Sequence, residues 1–292
     1  MGEIVGAGIV SHVPTMVLPK DERLALNDGK EISLVSGLER LRTEVFDRLK
    51  PDTVIVFDTH WYTLLYHCLD SRLHRQGFFT SEELPTNPGM SSLPYEMMGD
   101  PELCRLVAEI AQDHDDAFVE SCDNEHLPLH YGTVNLLGFL QNHEAWVPVS
   151  TCQTAQPGDF LQFGRLLAEA IKRLDRKVIL LGAGSLSHRF WPLRKLRAHE
   201  SSDTSNIVTL EARAADEWII DRWKQGQHQA VLNRVPDLAR FSPEGHFGHY
   251  LMMLGALGGG ACTAPGEMFS EYESSAGTGQ VHMWFEQPVG GW

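Results

Sequence analysis

The sequence predicts an α/β layered fold, one domain spanning residues 1–292 with a largely parallel or mixed central sheet flanked by helices. Three observations carry that expectation. Short apolar runs alternate with longer stretches whose apolar residues recur every three or four positions; the runs stop at Gly, Pro or polar turn residues; and no repeat or low-complexity linker divides the chain. Strands that alternate with amphipathic helices are covered on both faces, which favours parallel pairing.

The elements follow in order. Gly6 to Val10 forms a buried strand that ends at Ser11-His12-Val13-Pro14. From about Lys30 to Lys50, Ile32, Leu34, Val35, Leu38, Leu41, Val45, Phe46 and Leu49 make one apolar stripe on a helix. Thr53 to Phe57 is a second strand, ending in Asp58-Thr59-His60-Trp61. The long stretch from about Arg72 to Gly99 reads as a folded excursion beside a site. Asp100-Pro101 supplies a helix cap and a first-turn proline for the stripe Leu103, Leu106, Val107, Ile110. Ala117 to Val119 and Trp146 to Val149 are further strands around a helix near Val134 to Leu140, and a helix from about Phe160 to Leu174 leads into the strand Val178 to Leu181. The last third predicts helices from about Asp203 to Trp223 and from Ser242 to Leu257, then a strand over Gly279 to Phe285.

Composition narrows the function. Of the 292 residues, 42% are hydrophobic and 22% charged, which suits a globular chain and excludes disorder and a membrane span. The net charge of −15 repels phosphate backbones and anionic lipid, so neither nucleic acid nor membrane is an expected partner. Five cysteines without a CxxC pair argue against a disulfide framework and a cysteine zinc site. Glu3 stands where a signal peptide needs bases, and a cytoplasmic protein is expected.

Chemistry is expected where strands end. In sheets of this kind ligands lie outside the carboxyl ends of the strands. His12 follows the first strand, His60 the second, and His188 comes shortly after Val178 to Leu181, so three of the fourteen histidines point toward one rim. Two neutral imidazoles and a carboxylate form a facial triad for a divalent first-row metal. Glu244 is a carboxylate candidate, although Ser242-Pro243-Glu244 also reads as an ordinary helix start in which the dipole favours an acid. Gly182-Ala183-Gly184-Ser185 follows a strand like a dinucleotide fingerprint, but no second strand with an acid follows it. The nucleophile elbow of serine hydrolases and the His-Glu-x-x-His zinc motif are absent, and His114-Asp115-Asp116 sits in an acidic helix end.

Several blocks in this order, Ser11-His12-Val13-Pro14-Thr15-Met16, Val56 to Trp61, Phe79 to Pro85, Gly184 to Phe190 and Ser275 to Val281, together resemble the class III extradiol ring-cleaving dioxygenases over essentially the whole chain. The resemblance implies a non-haem Fe(II) held by His12, His60 and Glu244, with His188 as the acid/base. It implies a catechol with an acidic side arm and O2 as reactants, a hydroxymuconic semialdehyde as product, and a homo-oligomer. Where some members have Asp-His-Gly, this chain has His130-Tyr131-Gly132, so His126, His130 and Tyr131 are candidates for substrate contact. Arg189, Tyr131 and Trp191 are candidates by position for the side arm, Arg189 being the strongest partner for a carboxylate, and His246 and His249 either orient Glu244 or sit on an exposed helix face. A zinc-dependent hydrolase using the same His, His, Glu set is the alternative.

Overall fold

The computed structural model describes residues 1–81 and 90–292. Twelve strands are described: β1 (Glu3–Val10), β2 (Thr53–Thr63), β3 (His67–Asp70), β4 (His74–Phe79), β5 (Leu93–Met98), β6 (Val119–Cys122), β7 (Ala145–Cys152), β8 (Lys177–Ala183), β9 (Gly266–Met268), β10 (Glu273–Ser275), β11 (Thr278–Gln280) and β12 (Met283–Glu286). The α-helices are α1 (Lys20–Leu26), α2 (Ser33–Arg40), α3 (Asp47–Leu49), α4 (Pro101–Ala111), α5 (Tyr131–Leu140), α6 (Pro157–Arg173), α7 (Leu193–Leu196), α8 (Leu210–Lys224), α9 (His228–Leu238) and α10 (Gly248–Ala256). The central sheet is mixed, in the order β4-β5-β7-β2-β8-β1-β12-β9, with β3 and β6 branching from β7. Its middle, β7-β2-β8-β1, is parallel, while β4-β5, β1-β12 and β12-β9 are antiparallel.

Period-two alternation divides the strands between two cores. Ile55 and Phe57 of β2 and Val178 and Leu180 of β8 face one side, where α4, α6, α8, α9 and α10 pack. Val54, Val56, Ile179 and Leu181 face the other, covered by α2 and α5. Helices α6 and α10 meet backbone to backbone: a Cβ on Gly164 would lie 2.1 Å from the Met252 carbonyl oxygen, so only glycine permits the contact.

Local sequence explains most boundaries. Asp100 caps α4 by accepting from the Leu103 N–H at 3.2 Å, and the helix expected near Lys30 begins at Ser33, passes through a π-turn (Leu41–Phe46) and stops before Lys50, which has φ 50°. The 72–99 excursion carries the β4–β5 hairpin on one sheet edge; Glu82 to Pro85 of the block beginning at Phe79 lie outside the described residues.

Three expectations are corrected. The strand placed at Ala117–Val119 begins at Val119 and runs to Cys122, where it pairs with β3. The helix expected from Asp203 starts at Leu210, because Thr209 caps it through the Ala212 N–H at 3.1 Å. The Ser242–Leu257 helix starts only at Gly248: Ser242, Gly245, His246 and Phe247 all have φ between 52° and 63°. Left-handed backbone at a non-glycine residue costs about 1–3 kcal/mol, so this segment persists through what it contacts.

Candidate metal centre and active site

The parallel strands β1, β2 and β8 bring His12, His60 and His188 to one rim, with one difference from the expected layout. His12 follows β1 and His188 follows β8, but His60 lies inside β2, in an irregularity between Asp58 and Tyr62 where pairing with β7 shifts register. A bulge re-aims the side chain while the strand continues. Asp58 fixes this bulge. Its Oδ1 accepts the His60 N–H at 2.8 Å, and its Oδ2 accepts the Thr133 N–H at 2.9 Å and the Thr133 hydroxyl at 2.6 Å. The carboxylate therefore satisfies the start of α5 from another element. A Cβ on Gly132 would lie 2.6 Å from Asp58 Oδ1, which explains the glycine of His130-Tyr131-Gly132.

Glu244 enters from the left-handed segment. Its N–H donates to the Leu186 carbonyl at 3.3 Å, and its Oε2 accepts the Ser185 N–H at 2.7 Å. The Thr59 hydroxyl lies 2.8 Å from Glu244 Oε1 and 3.0 Å from the Ala183 carbonyl, so it donates to one while facing the other. The turn after β8 thus serves the carboxylate: Ser185 supplies the amide, and a Cβ on Gly184 would lie 2.9 Å from the His249 ring and from Thr59 Cγ2. The dipole account of Glu244 fails, since the residue precedes α10 and is not in its first turn.

Around Glu244 Oε1 stand three imidazole Nε2 atoms, of His60 at 3.1 Å, His12 at 3.5 Å and His188 at 3.8 Å. The ligating atoms of His12, His60 and Glu244 lie within 4.8 Å of one another. Burial alone would push the Glu244 carboxyl up; the facing imidazoles of His12 and His188, with contacts to His12 and His60, instead hold it well below the usual carboxylate range. Burial lowers His12, but Glu244 outweighs it and the net shift is upward, whereas His188 is lowered by burial that Glu244 only partly opposes. An ionised carboxylate among convergent imidazoles is a donor set that fits a divalent first-row cation. Asn135 Nδ2 holds the His12 carbonyl at 2.7 Å, and the Tyr131 ring lies 3.9 Å from the His60 ring.

His12, His60, His188 and Glu244 line a cavity of about 550 Å³ whose wall also includes Tyr131, Phe190 and Gln280. Other expected residues lie elsewhere. The His126 side chain is 85% exposed beside Glu125, His130 stacks at 6.3 Å on Trp61, and Trp191 stacks at 3.8 Å on His199, none of them lining the cavity. Arg189 donates to the Arg240 carbonyl and lines a different depression. His249 is buried behind Glu244 and burial pushes its pKa down to about 4, whereas His246 is exposed.

A model of the family described as the catalytic LigB subunit of aromatic ring-opening dioxygenase matches residues 6–286. The chain belongs to this family. Among curated relatives, the dioxygenase is 30% identical over 263 residues to 3,4-dihydroxyphenylacetate 2,3-dioxygenase of Escherichia coli, covering 88% of this chain and 91% of that one. It is 24% identical over 254 residues to the 2-aminophenol 1,6-dioxygenase beta subunit of a Pseudomonas species, covering 80% and 79%. Its fold is similar to the crystal structure of the uncharacterized protein JW3007 from Escherichia coli K12, with TM-score 0.63 and 14% identity over 96% of this chain and 99% of that chain. The enzyme is thus a ring-cleaving dioxygenase, and the hydrolase alternative gains nothing from these relatives. Among the described residues no helix is long and apolar enough to cross a membrane.

Residues that sequence reasoning missed support the site: Asp58 and Thr59, which directly precede His60 in sequence, Ser185, Asn135, and Asp216. Asp216 is 1% exposed and accepts the Ser187 N–H at 2.9 Å, the Ser187 hydroxyl at 2.6 Å and the Tyr272 hydroxyl at 2.7 Å, holding the turn that carries His188. Among the described residues it has no ion-pair partner, and burial, which those hydrogen bonds only partly oppose, pushes its pKa up from 3.8 to about 6. An acid that binds its proton more tightly when folded gives stability fully present below the unfolded value and lost as pH rises through the folded one. Wild-type stability relative to Asp216→Asn should therefore fall between about pH 4 and pH 7, by up to about 3 kcal/mol. Urea unfolding of both proteins across that range measures the difference; a constant difference would exclude the buried carboxyl as its source.

Proposed function

We propose that residues 1–292 form one catalytic domain, a non-haem Fe(II)-dependent extradiol dioxygenase that opens a catechol beside its diol with O2 to give a hydroxymuconic semialdehyde. The reading is carried by one observation, the convergence of His12, His60 and Glu244 on the wall of a cavity that His188 also lines. Two neutral imidazoles and a carboxylate would hold Fe(II) with a formal charge of +1 and leave positions facing the cavity. Iron held there would supply Lewis acidity and also the one-electron redox chemistry that zinc lacks.

The chain's own residues orient the ring and move protons. Tyr131 and Phe190 supply aromatic walls beside His60 and His188. His188 takes the catechol proton at Nε2 and returns it when the ring opens, a task suited to an imidazole. Both oxygen atoms end in the product, so no external reductant is needed. A homo-oligomer and a cytoplasmic location complete the proposal; the Pseudomonas relative is named as a subunit, which supports an oligomer without saying of which chains.

The test is anaerobic reconstitution with Fe(II), then air, with catechol and 3,4-dihydroxyphenylacetate, the compound named for the Escherichia coli relative. One O2 consumed per yellow product, absent in His12→Ala, is the expected result. Ester or amide hydrolysis restored by zinc, without O2 uptake, would replace the reading.

A further inference from the structure

We propose that the cavity selects catechols whose ring substituent carries a positive charge, a primary ammonium group above all, over those with a carboxylate arm. This rests on the ring-opening reading and revises the acidic arm expected from the sequence. Among the described residues no lysine or arginine lines the cavity, and residues 82–89 contain neither. Its wall instead includes two further acids, Glu22 on α1 and Glu200 just beyond the turn at Arg197–His199. Both are half-buried, and neither has an ion-pair or hydrogen-bond partner among the described residues.

Groups that could have received a carboxylate are committed elsewhere. Arg23, next to Glu22, forms a two-pronged pair with Glu31 and donates to the Leu18 carbonyl. Arg189 is tied to the Arg240 carbonyl. Gln280 is used at both ends: its Oε1 accepts from Ser11 Oγ at 2.6 Å, and its Nε2 donates to Ser185 Oγ at 2.6 Å and Thr278 Oγ1 at 2.7 Å. A carboxylate arm would lose water beside two like charges with no cationic donor in exchange, the Thr15 and Ser275 hydroxyls on the wall being neutral. An ammonium arm would donate charge-assisted hydrogen bonds to Glu22 or Glu200, while the diol end is held in the same way for any arm.

The test compares 4-(2-aminoethyl)catechol, 4-ethylcatechol and 3,4-dihydroxyphenylacetate by anaerobic titration calorimetry and by kcat/KM. The expected order is cation, neutral, anion, with about 10–100-fold between cation and neutral, the size of one charge-assisted hydrogen bond. Glu22→Gln combined with Glu200→Gln should collapse that ratio, and Glu200→Lys should move preference toward 3,4-dihydroxyphenylacetate. Equal or tighter binding of the carboxylate compound by wild type, or a ratio unmoved in the double variant, would overturn the proposal. If all three compounds bind in the expected order and none is opened with O2 uptake, the selectivity stands and the ring-opening reading falls.

Discussion

Replacing Glu244 by Gln should leave a folded protein that no longer retains iron. The variant keeps the side chain's shape but removes the anion toward which His12, His60 and His188 converge. Losing an outer hydrogen-bond partner of a metal ligand costs about 10–100-fold in affinity, and losing the ligand's charge should exceed that. Iron content after gel filtration, with ring-opening rate at saturating Fe(II), measures the effect. A variant with wild-type iron content would remove Glu244 from the metal site. Thr59 and Ser185 make the outcome informative, because the Ser185 N–H donates to Oε2 and the Thr59 hydroxyl faces Oε1, so an amide must turn its NH2 group toward one of them.

His188→Ala should give the opposite pattern: iron retained, anaerobic catechol binding retained, turnover reduced by about 10²–10⁴-fold. The His188 Nε2 lies further from Glu244 Oε1 than those of His12 and His60, and its ring packs edge-on to Phe190 at 4.8 Å. On the proposed reading its loss therefore removes the proton carrier and leaves His12, His60 and Glu244 in place. Iron analysis, anaerobic titration and stopped-flow rates separate the three quantities. Full turnover in the variant would assign the proton transfers to another group, and lost iron would make His188 a ligand.

Much of the layered architecture was legible because strand and helix periods differ and alternate cleanly along this chain. The rim positions of His12 and His188 followed from the strands that precede them. His60 was legible only in part, since nothing in Asp58-Thr59-His60-Trp61 marks a bulge that lets the strand continue to Thr63. Glu244 was ambiguous for a physical reason. Ser242-Pro243-Glu244 has the residue types of a helix start, and its departure into left-handed backbone is decided by distant donors, the Ser185 amide and the Thr59 hydroxyl, that no local pattern contains. Asp216, Glu22 and Glu200 are common acids on helices and loops; their significance comes from tertiary neighbours. Arg189 shows the converse, a residue adjacent in sequence to His188 whose guanidinium turns away to Arg240.

The three donors also span nearly the whole chain. His12 comes from its beginning and Glu244 from its last fifth, and the closing strand β12 lies antiparallel beside β1, with Ser11 bonded to both Gln280 and His282. During synthesis, then, a nascent chain can carry two imidazoles for most of its elongation without owning a site. On the proposed reading, metal loading would have to wait until Glu244 has been made, and a product truncated before it would lack one of the three donors.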